Sequence, residues 1–347
     1  MALDRVEKTV TVQGPGYCLK QRRVVHRGKP ATSRVRNPPS PGVRHEASRI
    51  SVRERGVTGP LLSLTLLLLA PTVVRAQSHC EVGDECQGPA AFETARGLAL
   101  GTGNRAAAIS TSALAYNAAN MPAARLYHIE GEIDYQPNDE VVTLGAAVVD
   151  SVTTRLAAGL AFRGTMANSD QGFNGIDFLL GLGFPFAEEV AIGLSGRYVN
   201  LWDDADHQLV KGLTMDTSLR IRPVEALHLA FLAYNVIDRN SQYVPVTIGG
   251  SSSVVLGDFL SVGVDCLVDI STYDTAQYTL GGGLEYVSGG KLPLRVGYVF
   301  DSGRETHAVT GGIGYAVHKF SADIALQQQV AGRSDTRLLA SVRYHVF

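Results

Sequence analysis

Side chains able to do chemistry are spread through this chain, and their spacing decides what they can do. Gly101, Gly103 and Ala106 imitate the glycine fingerprint of a dinucleotide site, but no strand-helix-strand unit surrounds them. Ser251, Ser252 and Ser253 have no nucleophile elbow, and none of the nine His sits in a His-Glu-x-x-His spacing. Asp203, Asp204 and Asp206 with His207 offer oxygen ligands to a divalent cation, a composition that an ordinary solvated loop shares. These patterns predict no enzyme, no cofactor and no metal centre.

A different set of polar residues recurs at alternate positions: Glu130, Glu132 and Asp134; Asp216, Ser218, Arg220 and Arg222; Ser341, Arg343 and His345. Residues two apart on a β-strand share a face, so this spacing builds a polar wall. The positions between are apolar, as in Leu213, Met215, Leu219 and Ile221, or Leu338, Ala340, Val342 and Tyr344.

The elements that must carry this wall are segments of about ten to twelve residues with the same alternation. They fall at residues 125–135, 140–151, 155–165, 174–185, 189–201, 211–222 and 226–236, then 245–255, 259–270, 277–287, 292–301, 307–317, 319–330 and 336–346. A soluble sandwich hides its apolar face, whereas a transmembrane barrel turns that face to lipid. Strand length separates the two. Eleven residues at ~3.3 Å rise, tilted about 45°, cover roughly 25 Å of membrane, whereas sandwich strands run about five or six residues. Linkers after the odd segments are mostly six to ten residues and those after the even ones four or fewer, as outer loops and inner turns alternate in a barrel. The reading is all-β: an antiparallel transmembrane β-barrel of about 14 strands.

Charge divides the chain. Residues 1–58 hold 13 Lys and Arg against 4 Asp and Glu, whereas residues 77–347 hold 17 against 29, so the folded part is acidic and no nucleic-acid partner is expected. No stretch reaches the roughly 20 apolar residues of a spanning helix. The apolar run Leu61 to Ala70, with Arg53 and Arg55 before it and Val74-Arg75-Ala76 after it, reads as a cleaved secretory signal peptide over residues 52–76. Residues 1–51 then read as a non-native or disordered extension from a start site placed too early, with Val52 or Val57 as the initiator. Export leaves Gln77 as the mature amino terminus and favours a disulfide between Cys80 and Cys86.

Gly101-Thr102-Gly103-Asn104-Arg105-Ala106, then Ser112-Ala113-Leu114-Ala115-Tyr116-Asn117 and Asn120-Met121-Pro122-Ala123, resemble the amino-terminal hatch of FadL-type outer-membrane transporters. Leu284-Glu285-Tyr286 and Leu294-Arg295-Val296-Gly297-Tyr298 resemble the PorV-like branch of that superfamily. Met121 interrupts the Asn-Pro-Ala element, and the outer loops are shorter than those that build a fatty-acid docking groove in that family. The resemblance implies a hatch over residues 77–124, a barrel over 125–347 and a location in the Gram-negative outer membrane. It also implies passive uptake of small hydrophobic or amphipathic compounds such as long-chain fatty acids. A PorV-like accessory that binds exported proteins and a general diffusion porin are the alternatives. The partners implied are outer-membrane lipid, lipopolysaccharide, a hydrophobic ligand and the barrel-assembly machinery, whose aromatic terminal signal Phe347 resembles.

Fourteen strands enclose a lumen wide enough to need filling. The hatch residues expected to fill it are Arg105, Ile109, Leu114, Asn117, Asn120, Met121 and Pro122, with a helix over 104–117. The inward phase assigns Glu130, Glu132, Asp134, Arg155, Arg163, Leu179, Arg197, Arg220, Leu232, Asp265, Asp269, Glu285 and Arg295 to the lumen wall, with Arg337 and Arg343 beside them. Ile109, Leu114, Met121, Leu179 and Leu232 are its expected apolar patch.

Overall fold

The structure is a computed structural model that describes residues 7–14, 17–24, 80–83, 91–168, 172–332 and 334–346. Within the stretch 1–51, β1 (Glu7–Gly14) and β2 (Tyr17–Val24) form a two-stranded sheet of their own. Residues 52–76, read as the signal peptide, lie outside the described residues.

Fourteen further strands pair antiparallel, each with its neighbour in sequence, and close on themselves. They are β3 (Tyr127–Gln136), β4 (Val141–Asp150), β5 (Ala157–Ala167), β6 (Asn174–Pro185), β7 (Val190–Trp202), β8 (Gln208–Val224) and β9 (Leu227–Tyr234). The second half is β10 (Thr247–Leu256), β11 (Leu260–Asp269), β12 (Gln277–Ser288), β13 (Leu292–Asp301), β14 (Thr306–Val317), β15 (Phe320–Ala331) and β16 (Thr336–Val346). The seam runs from Leu338 opposite Tyr135 to Val346 opposite Tyr127. Closure leaves no strand edge, which lipid requires because it offers no partner to a bare backbone N–H or C=O.

Alternation sets the two faces. On β13 the exposed Leu294, Val296 and Tyr298 point away from the barrel, while the buried Arg295 points in. On β15 the exposed Ile324 and Leu326 flank the buried Ala325 and lie on the opposite face from Asp323. Exposed tyrosines gather near both ends of the strands, with Tyr135, Tyr278 and Tyr298 at one and Tyr286, Tyr315 and Tyr344 at the other, as an interfacial girdle does. An even strand number puts the start of β3 and the end of β16 at one end, where the joins 225–226, 257–259, 289–291 and 318–319 are short. The far end carries the longer loops 235–246 and 270–276.

Residues 91–126 run inside the barrel. Helix α1 (Ala95–Ala99) packs on β13 to β16, a 3-10 turn (Arg105–Ala107) on β9 to β11, helix α2 (Ser110–Tyr116) on β3 to β5, and a second 3-10 turn (Ala118–Ala123) on β5 to β8. Arg96 reaches β12. A segment that meets strands all the way round a closed barrel can only lie within it. The helix expected over 104–117 is therefore broken. Asn104 and Arg105 donate their backbone N–H groups to Asp265 and Ala106 donates to Ser251 Oγ at 2.8 Å, so these donors serve the wall. Ala108 and Ile109 are extended, and the second helix starts afresh at Ser110. Where the segment turns back at Gly101 (φ +63°), a Cβ would lie 2.6 Å from the backbone N and O of Tyr298, so the close approach to β13 needs glycine.

An arginine at the lipid-facing Leu180 or Ile324 will cost about 2–4 kcal/mol near the midplane. Urea unfolding in lipid bilayers will show that loss for Leu180→Arg and Ile324→Arg, and none for Asp204→Arg in the exposed loop.

Candidate lumen site

Apolar residues take the lipid face, so charge accumulates inside, where the inserted segment covers it. At the seam, Arg343 on β16 pairs with Glu130 opposite on β3 at 3.0 Å, and Thr111 of α2 donates to the same carboxylate. Arg337 holds Asp134 at 2.5 Å. Below them Ser110 contacts His128, whose Nε2 lies 2.5 Å from His345 Nδ1. The inserted segment supplies the serine of this contact.

Helix α1 is held by a four-member chain. Arg96 meets Glu285 at 2.9 Å, Arg295 meets the other oxygen of Glu285 at 2.6 Å, and Arg295 continues to Asp323 at 2.6 Å. All four are buried. Glu285 and Arg295 are register partners on β12 and β13, so the wall itself brings them together. Arg105 binds Asp265 at 3.2 Å, and its guanidinium lies 4.6 Å from the Tyr116 ring centre and 5.5 Å from that of Tyr234. Asn117 and Asn120 turn back to donate to the Arg105 carbonyl, which fixes the turn between them.

Toward the far end, Arg163 pairs with Glu132 and donates to the carbonyls of Ala91 and Glu93, while Arg197 holds Asp177 at 2.5 Å. Between those residues sits Phe92, buried with its ring centre 4.8 Å from the Arg163 guanidinium and 5.4 Å from that of Arg197. Leu114, Met121 and Leu179 join it in one apolar cluster with Ala161. The cavity beside it, lined by Phe92, Leu114, Ala147, Ala161, Phe162 and Arg163 among others, measures about 20 Å³. That is room for a water molecule. The Glu93 carboxylate accepts from the Tyr116 hydroxyl.

Two residues lie elsewhere than the strand phase placed them. Arg155 is exposed in the turn 151–156, because β4 ends at Asp150, whose carboxylate accepts from the N–H groups of Val152 and Thr153, and β5 begins only at Ala157. Asp269 is half-buried at the end of β11 and accepts from the N–H groups of Ser271 and Thr272, so it shapes the loop and takes no part in the ion pairs. Leu232 packs with Ala106 and Ala230, apart from the Leu114 cluster. Ile109 is buried outside both clusters, and Pro122, half-buried, packs near Gly183 on β6. Arg220 is buried and donates to the Glu188 carbonyl.

The acidic loop closes on itself. Asp203 accepts from the N–H groups of Ala205 and His207, and the His207 contact leads in holding its carboxyl below the usual range. Among the described residues no group of three His, Cys, Asp or Glu could hold a metal ion. Cys80 is in a disulfide, and Cys86 lies outside the described residues. Residues 80–83 sit against the far-end loops, with Cys80 bridged to Tyr273 and Gly83 N–H donating to Gly303 at 2.9 Å.

Asp177 and Asp323 were readable from strand phase and complete the ion pairs. Phe92, Glu93 and Arg96 carried no signal, since they precede any periodic segment.

This closed barrel is similar in fold to solved toluene transporters and to a solved FadL homologue. Among solved structures, the toluene transporter TbuX of Ralstonia pickettii superimposes with a TM-score of 0.54 at 14% identity, over 74% of this chain and 98% of that one. A FadL homologue of Pseudomonas aeruginosa gives 0.51 at 11%, over 77% and 99%, and the P. putida toluene transporter TodX gives 0.51 at 12%, over 74% and 98%. At such identities the likeness is one of fold. No protein family and no curated protein matches the chain in sequence.

Glu285→Gln leaves Arg96 and Arg295 with an uncompensated buried charge, which costs about 3–5 kcal/mol. The variant will unfold at lower urea and conduct more ions in planar bilayers, whereas Glu225→Gln in the exposed turn will do neither.

Proposed function

We propose that this protein is exported by a cleaved signal peptide to the outer membrane and lets small hydrophobic or amphipathic compounds pass down their gradient. The observation that carries the reading is the filled lumen. A diffusion porin keeps an aqueous channel, whereas among the described residues the inserted segment packs on strands around the wall, and a water-sized cavity adjoins its apolar cluster of Phe92, Leu114, Met121 and Leu179. A solute that exploits such a seam does so by apolar contact, while paired charges on either side keep the segment in register. The fold neighbours that transport toluene support the same class of cargo. Long-chain fatty acids belong to that class too. The reading assigns the protein no catalysis; its surroundings are outer-membrane lipid and lipopolysaccharide, and its insertion falls to the barrel-assembly machinery.

Liposomes containing the purified protein will take up toluene and a long-chain fatty acid faster than protein-free ones and will exclude glucose. Deleting residues 77–122 will admit glucose. Free passage of glucose through the full chain, unchanged by the deletion, would replace this reading with a diffusion porin.

A further inference from the structure

At the short-turn end of the lumen one arginine stands outside the pairing that governs the rest. Arg96, Arg105, Arg163, Arg197, Arg295 and Arg343 are buried, and each meets a carboxylate. Arg220 on β8 is buried as deeply, at 3% exposure, and among the described residues it meets none. Its Nη2 donates to the Glu188 carbonyl at 3.0 Å, and its Nε, also buried, has no hydrogen-bond partner. Arg222, two residues on and half-buried, makes no side-chain hydrogen bond or ion pair among the described residues either. It is the charge that acts most strongly on Arg220, ahead of the exposed Glu189, and both arginines act on the buried His228. Short side chains flank the guanidinium. Its register partners are Ala191 on β7 and Ala230 on β9, and the inserted segment meets this stretch of wall with Ala106 and Ala119. No long side chain of the wall competes for its free edge. On β10, opposite His228, the buried Ser253 hydroxyl has no partner.

A buried charge without a counter-charge is strongly destabilising, and a second like charge beside it adds to the cost. We infer that Arg220 and Arg222 form a binding site for a small tetrahedral oxyanion of the phosphate class, taken up from the aqueous phase at the short-turn end of the barrel. Three features select the class. The guanidinium edge, Nε with Nη2, is a fork matched to two oxygens of one anion, which a halide cannot offer. A carboxylate spends both oxygens on that edge, whereas a phosphate keeps others for donors on different sides, such as Arg222 and the Ser253 hydroxyl. Phosphate that has lost its second proton carries two negative charges, the complement of two arginines. The anion comes from water rather than from a lipid head group because Arg220 faces the lumen, and Leu219 and Ile221 take the lipid side. The site stands whatever passes through the lumen.

The test uses the full chain in phosphatidylcholine nanodiscs at about pH 8 and constant ionic strength. Titration with inorganic phosphate, followed by calorimetry and by the Tm, will show saturable binding and a rise in Tm for the parent. Acetate and chloride will bind about tenfold more weakly or not at all. Arg220→Lys keeps the charge without the fork and will lose about tenfold in phosphate affinity, and Arg220→Gln will not bind phosphate saturably. Arg155→Gln, in the exposed turn at the same end, will bind as the parent does. Without phosphate, Arg220→Gln will resist urea at least as well as the parent, since it removes a buried charge that has no counter-charge. If neither Arg220 variant folds, Arg222→Gln, at a half-buried position, must still weaken phosphate binding about tenfold. Acetate binding as tight as phosphate binding, no saturable binding by the parent, or a phosphate response that survives in Arg220→Gln overturns the proposal. A rise in Tm that needs phosphatidylglycerol in the nanodisc and not free phosphate would put a lipid head group there and overturn it too.

Discussion

A strand that crosses lipid can show the bilayer only one kind of side chain, and the structure follows from that restriction. The lipid-facing positions of β3 to β16 are apolar, so polar residues at membrane depth point inward. The inserted segment then removes those residues from water. A charge so covered is tolerable only beside its opposite, and the lumen accordingly contains pairs and chains of pairs: Glu130 with Arg343, Asp134 with Arg337, Asp177 with Arg197, and Arg96, Glu285, Arg295 and Asp323 in series. The polarity of the interior is a by-product of the apolarity outside.

The inserted segment answers this wall in two chemical languages. Arg96, Arg105 and Thr111 extend the ion pairs inward and fix position. Leu114, Met121 and Phe92 occupy the gaps where the wall is small or apolar, near Ala161 and Leu179. The first kind of contact is directional and costly to leave unmade. The second is tolerant of substitution by any group of similar shape.

The barrel was legible because its signal is redundant: the alternation seen in Leu294, Arg295 and Val296 recurs in strand after strand, and β6, β13 and β16 fall on the expected residues. Strand ends are set by single capping contacts, which periodicity does not encode. That is why Arg155, in phase with the inward face of β5, lies in the exposed turn that Asp150 caps. The wall residues were legible as a face but not as pairs, since partners such as Glu285 and Arg96 stand 189 residues apart. Least legible was the path of residues 91–124. Asn104 to Ala108 has helix-forming composition, yet the N–H groups of Asn104, Arg105 and Ala106 go to Asp265 and Ser251, and no local pattern foretells a contact with residues 145 to 161 positions later.

The seam adds a constraint of another kind. Residues 80–83 lie among the far-end loops, whereas β3 begins at the opposite end, so the chain crosses the lumen before contributing its first strand to the wall. The wall is completed when β16 meets β3, through contacts such as Arg343 with Glu130 and Arg337 with Asp134 that span 213 and 203 residues. Once that hoop is shut, the crossing segment can be introduced only by pulling a free end through the closed wall. The economical order of assembly lays the segment against a still-open sheet and lets the last strand wrap it. Long-range closure of this sort is slow. The time spent open is then the interval in which the core of the molecule is built.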